Sequence, residues 1–202
     1  MSHLKIFGMS KSRTFRVLWM AEELGLEYEH IPVDIGDQGT GSAEFLSINP
    51  NGRIPAIQDG ELTLFESMAI NLYLARQYPG RMMPDNPEDE ARVIQWSFWV
   101  VNELEPGLLT LLRHRATYPE DQRDPQLADA TEKELARPLA VLDQALVGKT
   151  YLVGEHFSAA DLNVASVMAW AKASKVDFSA FPHVAAWMEQ CLGRPASRAA
   201  RR

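Results

Sequence analysis

The hydrophobic period of this chain changes near position 80, and that change constrains the fold more than any other feature. The stretch Pro79-Gly80-Arg81-Met82-Met83-Pro84-Asp85-Asn86-Pro87 holds three prolines and neither a helical nor a strand period, as a linker does. Before it, strand-like and helix-like runs alternate. His3 to Phe7 reads as a buried strand ending at Gly8, Thr14 to Leu24 as a helix capped by Gly25, and Tyr28 to Val33 as a second strand followed by a polar, glycine-rich loop, Asp34 to Ser42. Ile54–Gln58 and Leu62–Phe65 are short apolar runs joined by Asp59-Gly60-Glu61, a hairpin signal, and Glu66 to Tyr78 returns to helical spacing. After the linker, only helical patterns remain: Glu88 to Ala116, Asp124 to Leu146 with a kink expected at Pro138, a helix opened by Ser158-Ala159-Ala160-Asp161, and Pro182 to Leu192. The expectation is an α/β first domain over 1–79, a linker over 80–87 and an all-helical second domain over 88–202.

Composition narrows the function classes. With 202 residues, 46% of them hydrophobic, the chain can bury roughly 70% of its unfolded surface without a disulfide or a structural metal. Its net charge of −7 and the lack of a basic stripe argue against nucleic acid as a partner. Arg198, Arg201 and Arg202 read as a solvated tail. The single cysteine, Cys191, falls at helical spacing with Val184 and Trp187 and reads as a small buried apolar residue; no Cys/His spacing suggests a metal site. Met1 to Gly8 lacks the basic start and apolar stretch of a secretory signal, and no window approaches a membrane span, so a reducing, cytoplasmic setting is expected.

Three segments of the first domain can carry chemistry. Gly8-Met9-Ser10-Lys11-Ser12-Arg13 joins a strand to a helix and brings hydroxyls beside the free N–H groups of a helix start; such a serine either caps the helix or donates a hydrogen bond to a bound thiolate. In Asn49-Pro50-Asn51-Gly52-Arg53-Ile54-Pro55 the final proline stands at a turn-to-strand junction. A cis bond there leaves Ile54 extended, with its N–H and C=O open to a peptide-like ligand; a trans bond removes that pairing. Glu66-Ser67 opens the last helix of the domain, where Ser67 and helical N–H groups suit a carboxylate and Glu66 an ammonium group, although a helix cap is the plainer use.

Taken together and in this order, Gly8…Ser12, Asn49-Pro-x-Gly-Arg-Ile-Pro55 and Glu66-Ser-x-Ala-Ile-x-x-Tyr-Leu74 resemble the cytosolic glutathione S-transferases, specifically a serine-type, theta- or phi-like bacterial member. The resemblance implies a thioredoxin-like N-terminal domain with a mixed four-stranded sheet, an all-helical C-terminal domain, glutathione as co-substrate without a metal, and a homodimer. It places Ser12 where the serine-type classes hold the glutathione sulfur as thiolate, with Ser10 in reserve because loop length varies. It gives Ile54, before Pro55, the cysteinyl backbone of glutathione, Glu66 and Ser67 its γ-glutamyl end, and Arg53 a ligand contact. The basic contacts to the glycyl carboxylate are missing; Gln38 and backbone are what the loop after strand two offers.

The implied activity is conjugation of glutathione to small hydrophobic electrophiles, as in detoxification. Met9, Trp99, Glu103, Leu108 and Tyr118 are candidates for the electrophile pocket, although core packing suits most of them. The alternatives are a glutathione-dependent isomerase or dehalogenase on the same site, and a non-catalytic ligand-binding or regulatory protein of the same fold.

Overall fold

The computed structural model describes residues 4–202; His3, where the sequence starts the first strand, lies outside the described residues. The chain packs as two units, one running to Met83 and rejoined by Arg194–Arg202, the other Pro84–Gly193.

In the first unit β1 (Leu4–Phe7), α1 (Thr14–Leu24), β2 (Tyr28–Ile31), α2 (Ala43–Ile48), β3 (Ala56–Asp59), β4 (Leu62–Phe65) and α3 (Ser67–Gln77) form a mixed four-stranded sheet in the order β2-β1-β3-β4 with helices packed against it. β1 is parallel to β2 and antiparallel to β3, with Ile6 opposite both His30 and Ile57. The central strands are the most buried, Ile6, Ala56 and Ile57 having no exposure, because both faces of a covered sheet must be apolar. Tyr73 on α3 and Tyr78 just beyond it donate to Asp59 Oδ2 at 2.9 and 2.7 Å, tying the helix to the end of β3. Burial and the Asp59 contact push the Tyr73 phenol up to about 12, so it remains a donor at neutral pH.

Two elements of this unit were not legible as patterns. The helix α2 is only six residues long, too short to show a period; it begins at Ser42, whose side chain accepts from Phe45 N–H, and buries Phe45 alone. The short helix α9 (Pro195–Ala199) packs the terminal segment on α1, where a solvated tail was expected. Arg194 grips Glu23 through two hydrogen bonds of 2.6 and 2.7 Å, Ser197 and Ala200 are buried, and the Arg201 guanidinium lies 4.1 Å from the Phe15 ring centroid.

The second unit is helical throughout: α4 (Pro87–Trp99), α5 (Glu105–Leu112), α6 (Pro125–Ala145), α7 (Ala159–Ala173) and α8 (Pro182–Leu192), with one 3₁₀ turn. The single helix expected over 88–116 is α4 and α5 joined and extended by two wide π-helical turns, Val100–Leu104 and Arg113–Thr117. Pro106 accounts for the first: it has no N–H for the carbonyl four residues back, and its ring crowds that carbonyl. The inward stripe survives the change, Val93, Val100, Leu104, Leu108 and Leu111 all being fully buried. The helix α6 runs on through Pro138 as one element.

Around α7, which is almost wholly buried, the capping box is closed by Asp161. Its carboxylate accepts from Ser158 N–H and hydroxyl at 3.1 Å each, and from Leu152 N–H and the Trp187 indole at 2.9 Å each. Removing it strands buried donors. Asp161→Ala is expected to destabilise the protein by about 3 kcal/mol or more, read as a lowered urea midpoint; a loss under about 1 kcal/mol would show that the donors find water instead.

Candidate functional site

The first turn of α1 is the point on which the site is assembled. Gly8 ends β1 with a φ of 130°, and a Cβ built there would lie 2.1 Å from Thr14 Oγ1 and 2.8 Å from Ile54 Cβ. The strand end, the helix start and the residue before Pro55 are therefore in contact, with no room for a side chain between them. The position of Gly8 is fixed by its N–H, which donates to Ile31 C=O at 2.9 Å, and by its own carbonyl, 2.7 Å from His30 Nε2.

Ser12 sits in this loop, half-buried, with its hydroxyl already engaged. It donates to Met9 C=O at 2.7 Å, accepts from Thr14 N–H at 3.1 Å and lies 2.9 Å from Thr14 Oγ1. It thus caps the first turn of α1 from within the loop. Ser10 is half-buried in the same loop, and its hydroxyl makes no hydrogen bond to a described residue. Geometry keeps both serines at the mouth of α1, which carries no acidic residue in its first turn.

The Ile54-Pro55 bond is cis. Asn49, buried, shapes the turn before it: its side-chain amide donates to Arg53 C=O at 2.6 Å, and its Oδ1 accepts from both nitrogens of Asn51 at 3.0 Å. Gly52, with a φ of 59°, closes that turn, and a Cβ there would meet Thr40 C=O at 3.1 Å. Ile54 packs its side chain on the Phe7, Phe45 and Ala56 cluster, while its backbone N–H and C=O bond to no described residue. Arg53 is exposed.

Ser67 is buried at the start of α3, and Glu66 before it is exposed and held at a φ of 71°, a left-handed conformation that costs a non-glycine residue about 1 kcal/mol or more. Arg16, a residue only 2% exposed, donates through Nη1 to Ser67 Oγ at 3.3 Å, and Asn71 Nδ2 donates to Arg16 C=O at 3.2 Å. A buried cation therefore stands directly behind Ser67. Sequence reading missed Arg16, which falls inside the apolar pattern of α1; a lone arginine flanked by Phe15 and Val17 was the available signal. Thr14, His30 and Asn49 were missed for a similar reason, since each acts through a partner far away in sequence or through backbone.

Arg16 and Thr14 lie on the same two turns of α1, so Ser12, Ile54 and Ser67 are brought to one helix start. Gln38 is not joined to them by any described contact. It is exposed and lines a cleft of about 310 Å³ with Phe7, Val33, Ser42 and Phe45. Of the electrophile-pocket candidates, Leu108 is fully buried on α5, which packs against α6 and α7, and Tyr118 stacks edge-on against His114 at 5.2 Å. Met9 is 36% exposed.

The fold and this arrangement define a thioredoxin-like domain with a transferase-type helical unit. The sequence matches the glutathione S-transferase N-terminal domain over residues 2–76 and the glutathione S-transferase C-terminal domain over residues 101–195. It is 34% identical to a probable glutathione S-transferase, GSTF1, of Oryza sativa subsp. japonica, across 96% of this chain and 94% of that protein. It is 36% identical to the disulfide-bond oxidoreductase YfcG of Escherichia coli, across 90% and 86%. The theta class glutathione S-transferase of Xanthomonas axonopodis pv. citri, solved with glutathione bound, superposes with a TM-score of 0.90 at 32% identity, covering 99% of this chain and 97% of that one. The chain belongs to the glutathione S-transferase family.

Because no side chain fits at position 8, Gly8→Ala is expected to cost about 2 to 3 kcal/mol of stability and to weaken glutathione binding at least tenfold by driving Ile54 away from α1. Thermal unfolding and calorimetric titration measure the two effects; an unchanged affinity would show that the Gly8–Ile54 contact does not shape the ligand site.

Proposed function

We propose that this protein conjugates the thiolate of glutathione to small hydrophobic electrophiles, as a serine-type transferase acting in detoxification. The observation that carries the reading is the convergence of Ser12, the open backbone of Ile54 and the Arg16–Ser67 pair on the first two turns of α1. The Ile54 backbone pairs with the cysteinyl residue of glutathione. Ser67 and the start of α3, backed by the Arg16 charge, receive the γ-glutamyl carboxylate, and Glu66 its ammonium group. Arg53, exposed in the turn, supplies a further ligand contact, and Gln38 serves the glycyl end. Among the described residues no group of three or more His, Cys, Asp or Glu is arranged as a metal site.

The serine hydroxyl acts as a donor. A free thiol ionises near ~8.5, and bringing that to roughly 6.5 takes about 2.7 kcal/mol of preference for the thiolate. One hydroxyl donor to an anion contributes about 1.5 to 3 kcal/mol, and the helix start adds to it. To donate to sulfur, Ser12 turns its proton away from Met9 C=O, and the Thr14 hydroxyl, 2.9 Å away, can then donate to Ser12 Oγ and strengthen it as a donor. The thiolate attacks the electrophilic carbon, the carbon–sulfur bond forming as the leaving group departs with its electron pair.

Oligomeric state and setting belong to the same proposal. β4, at the sheet edge, leaves Leu62 and Phe65 at 39% and 36% exposure, and α4 leaves Phe98 at 62%, apolar surface of the kind a second copy covers in a homodimer. Cys191, buried and in no disulfide, is compatible with a reducing cytoplasm, and none of the described helices is long and apolar enough to cross a membrane.

The disulfide-bond oxidoreductase among the relatives favours a second reading, in which the same thiolate attacks a disulfide sulfur. The loop after β1 contains no cysteine, so glutathione itself would have to be the nucleophile. Assays with chlorodinitrobenzene and with hydroxyethyl disulfide separate the two. Ser12→Ala is expected to lower kcat for chlorodinitrobenzene by about 10- to 100-fold while changing glutathione affinity by less than about threefold. Full activity in both Ser12→Ala and Ser10→Ala would remove the serine role, and activity confined to the disulfide would decide for the second reading.

A further inference from the structure

The peptide group between Gly8 and Met9 is held from the side of β2. The Gly8 carbonyl lies 2.7 Å from His30 Nε2, and because a carbonyl can only accept, that ring nitrogen carries a proton and donates it. On the same side the Gly8 N–H donates to Ile31 C=O at 2.9 Å. Glycine at a φ of 130° has no side chain to restrict the peptide plane that follows it, so an outside bond must do so. His30 supplies that bond at the point where β1 gives way to the loop of Ser10 and Ser12.

The Gly8–Met9 bond is trans, so its N–H points opposite to its C=O. β2 flanks β1 on one side and β3 flanks it on the other. With the carbonyl turned to β2, the Met9 N–H is aimed to the β3 side, and it bonds to no described residue. The antiparallel register of β1 and β3 pairs Phe7 with Ala56 and, carried two residues further, sets Met9 opposite Ile54. Ile54 is the residue whose own backbone N–H and C=O are open.

Met9 is also tied to Ser12. Its carbonyl accepts from the Ser12 N–H at 2.9 Å and from the Ser12 hydroxyl at 2.7 Å. The hydroxyl and the Met9 amide are thus anchored at the two ends of one residue. Two fixed donors set close together, one hydroxyl and one backbone N–H, are what a developing or resident anion calls for.

We propose that His30 is a positioning residue of the glutathione reaction: its bond to Gly8 C=O aims the Met9 N–H at the sulfur of bound glutathione, where that N–H serves beside Ser12 as a second donor to the thiolate. The inference rests on the glutathione site proposed above and adds to it a side chain that acts from behind, through one peptide group, without touching the ligand.

The test compares glutathione with S-methylglutathione, whose sulfur carries no charge, on the whole protein. In the wild type the Met9 amide proton is expected to move downfield with glutathione at least about twice as far as with S-methylglutathione. This measurement stands whether or not a variant folds. His30→Leu should raise the pH at which bound glutathione ionises, read from thiolate ultraviolet absorbance, by about half a unit. In that variant kcat for chlorodinitrobenzene falls about threefold at about pH 6 and is unchanged at about pH 9, where the thiol is ionised in both proteins. His30→Gln places an amide N–H at the reach of Nε2 and should restore both readouts to within about twofold. A wild type that binds no glutathione would remove the function reading and this inference with it. Glutathione bound with the Met9 amide unmoved, a His30→Leu protein that loses stability with thiol ionisation unchanged, or His30→Gln as impaired as His30→Leu would overturn this inference alone.

Discussion

The contact between Gly8, Thr14 and Ile54 is the constraint from which the geometry of the proposed glutathione site follows. A strand of a mixed sheet ends, a helix begins, and a cis-proline turn is set against both at distances that exclude even a Cβ. Close approach of three backbone segments is what turns ordinary secondary-structure ends into a ligand surface. The helix start contributes N–H groups and a partial positive charge, and the turn contributes an extended residue whose backbone is left unpaired. Move the turn outward by the width of a methyl group and these groups no longer face one ligand.

Electrostatics are arranged around that surface by residues lying behind it. Arg16 is buried under Ser67, so in the proposed site its charge acts through a hydroxyl that both accepts from the guanidinium and retains its own proton for an incoming carboxylate. Placing the cation there has a physical advantage over an exposed lysine: screening by salt is weaker, and the side chain gives up no rotamer freedom when ligand arrives. The same logic holds for Asn49, which orders the turn through bonds to backbone before any ligand is present.

How much of this was legible in the sequence depends on whether the cause was local. The strand and helix order of the first unit could be read because each element carries its own period, and Asp59-Gly60 marks the hairpin between β3 and β4 at its true position. The cis bond was legible as a place but not as a state, since the residue types around an X-Pro bond do not fix its isomer. The helix α2 is too short for a period, and α9 is held by Arg194 on Glu23, partners 171 positions apart that no local pattern links. Arg16 looks like an error in an apolar stripe until Ser67 is placed above it. The wide turn before α5 had a local cause in Pro106, yet the apolar stripe continues through it and hides the change.

In the role proposed for Ser12, capping and catalysis do not compete. A helix start needs an acceptor for its free N–H groups, and Ser12 Oγ supplies one to Thr14 N–H through a lone pair. A thiolate needs a donor, and the hydroxyl supplies one through its proton. The two uses draw on different parts of the same oxygen, so the acceptor role can persist while the proton moves from Met9 C=O to sulfur. Exchanging a neutral carbonyl for an anion as acceptor strengthens the bond the proton makes, roughly doubling it, while Met9 C=O near the surface is free to take water instead. The cost of leaving the carbonyl is thereby limited, and in the proposed mechanism the preference of the serine for a charged partner is the force that keeps the thiol ionised.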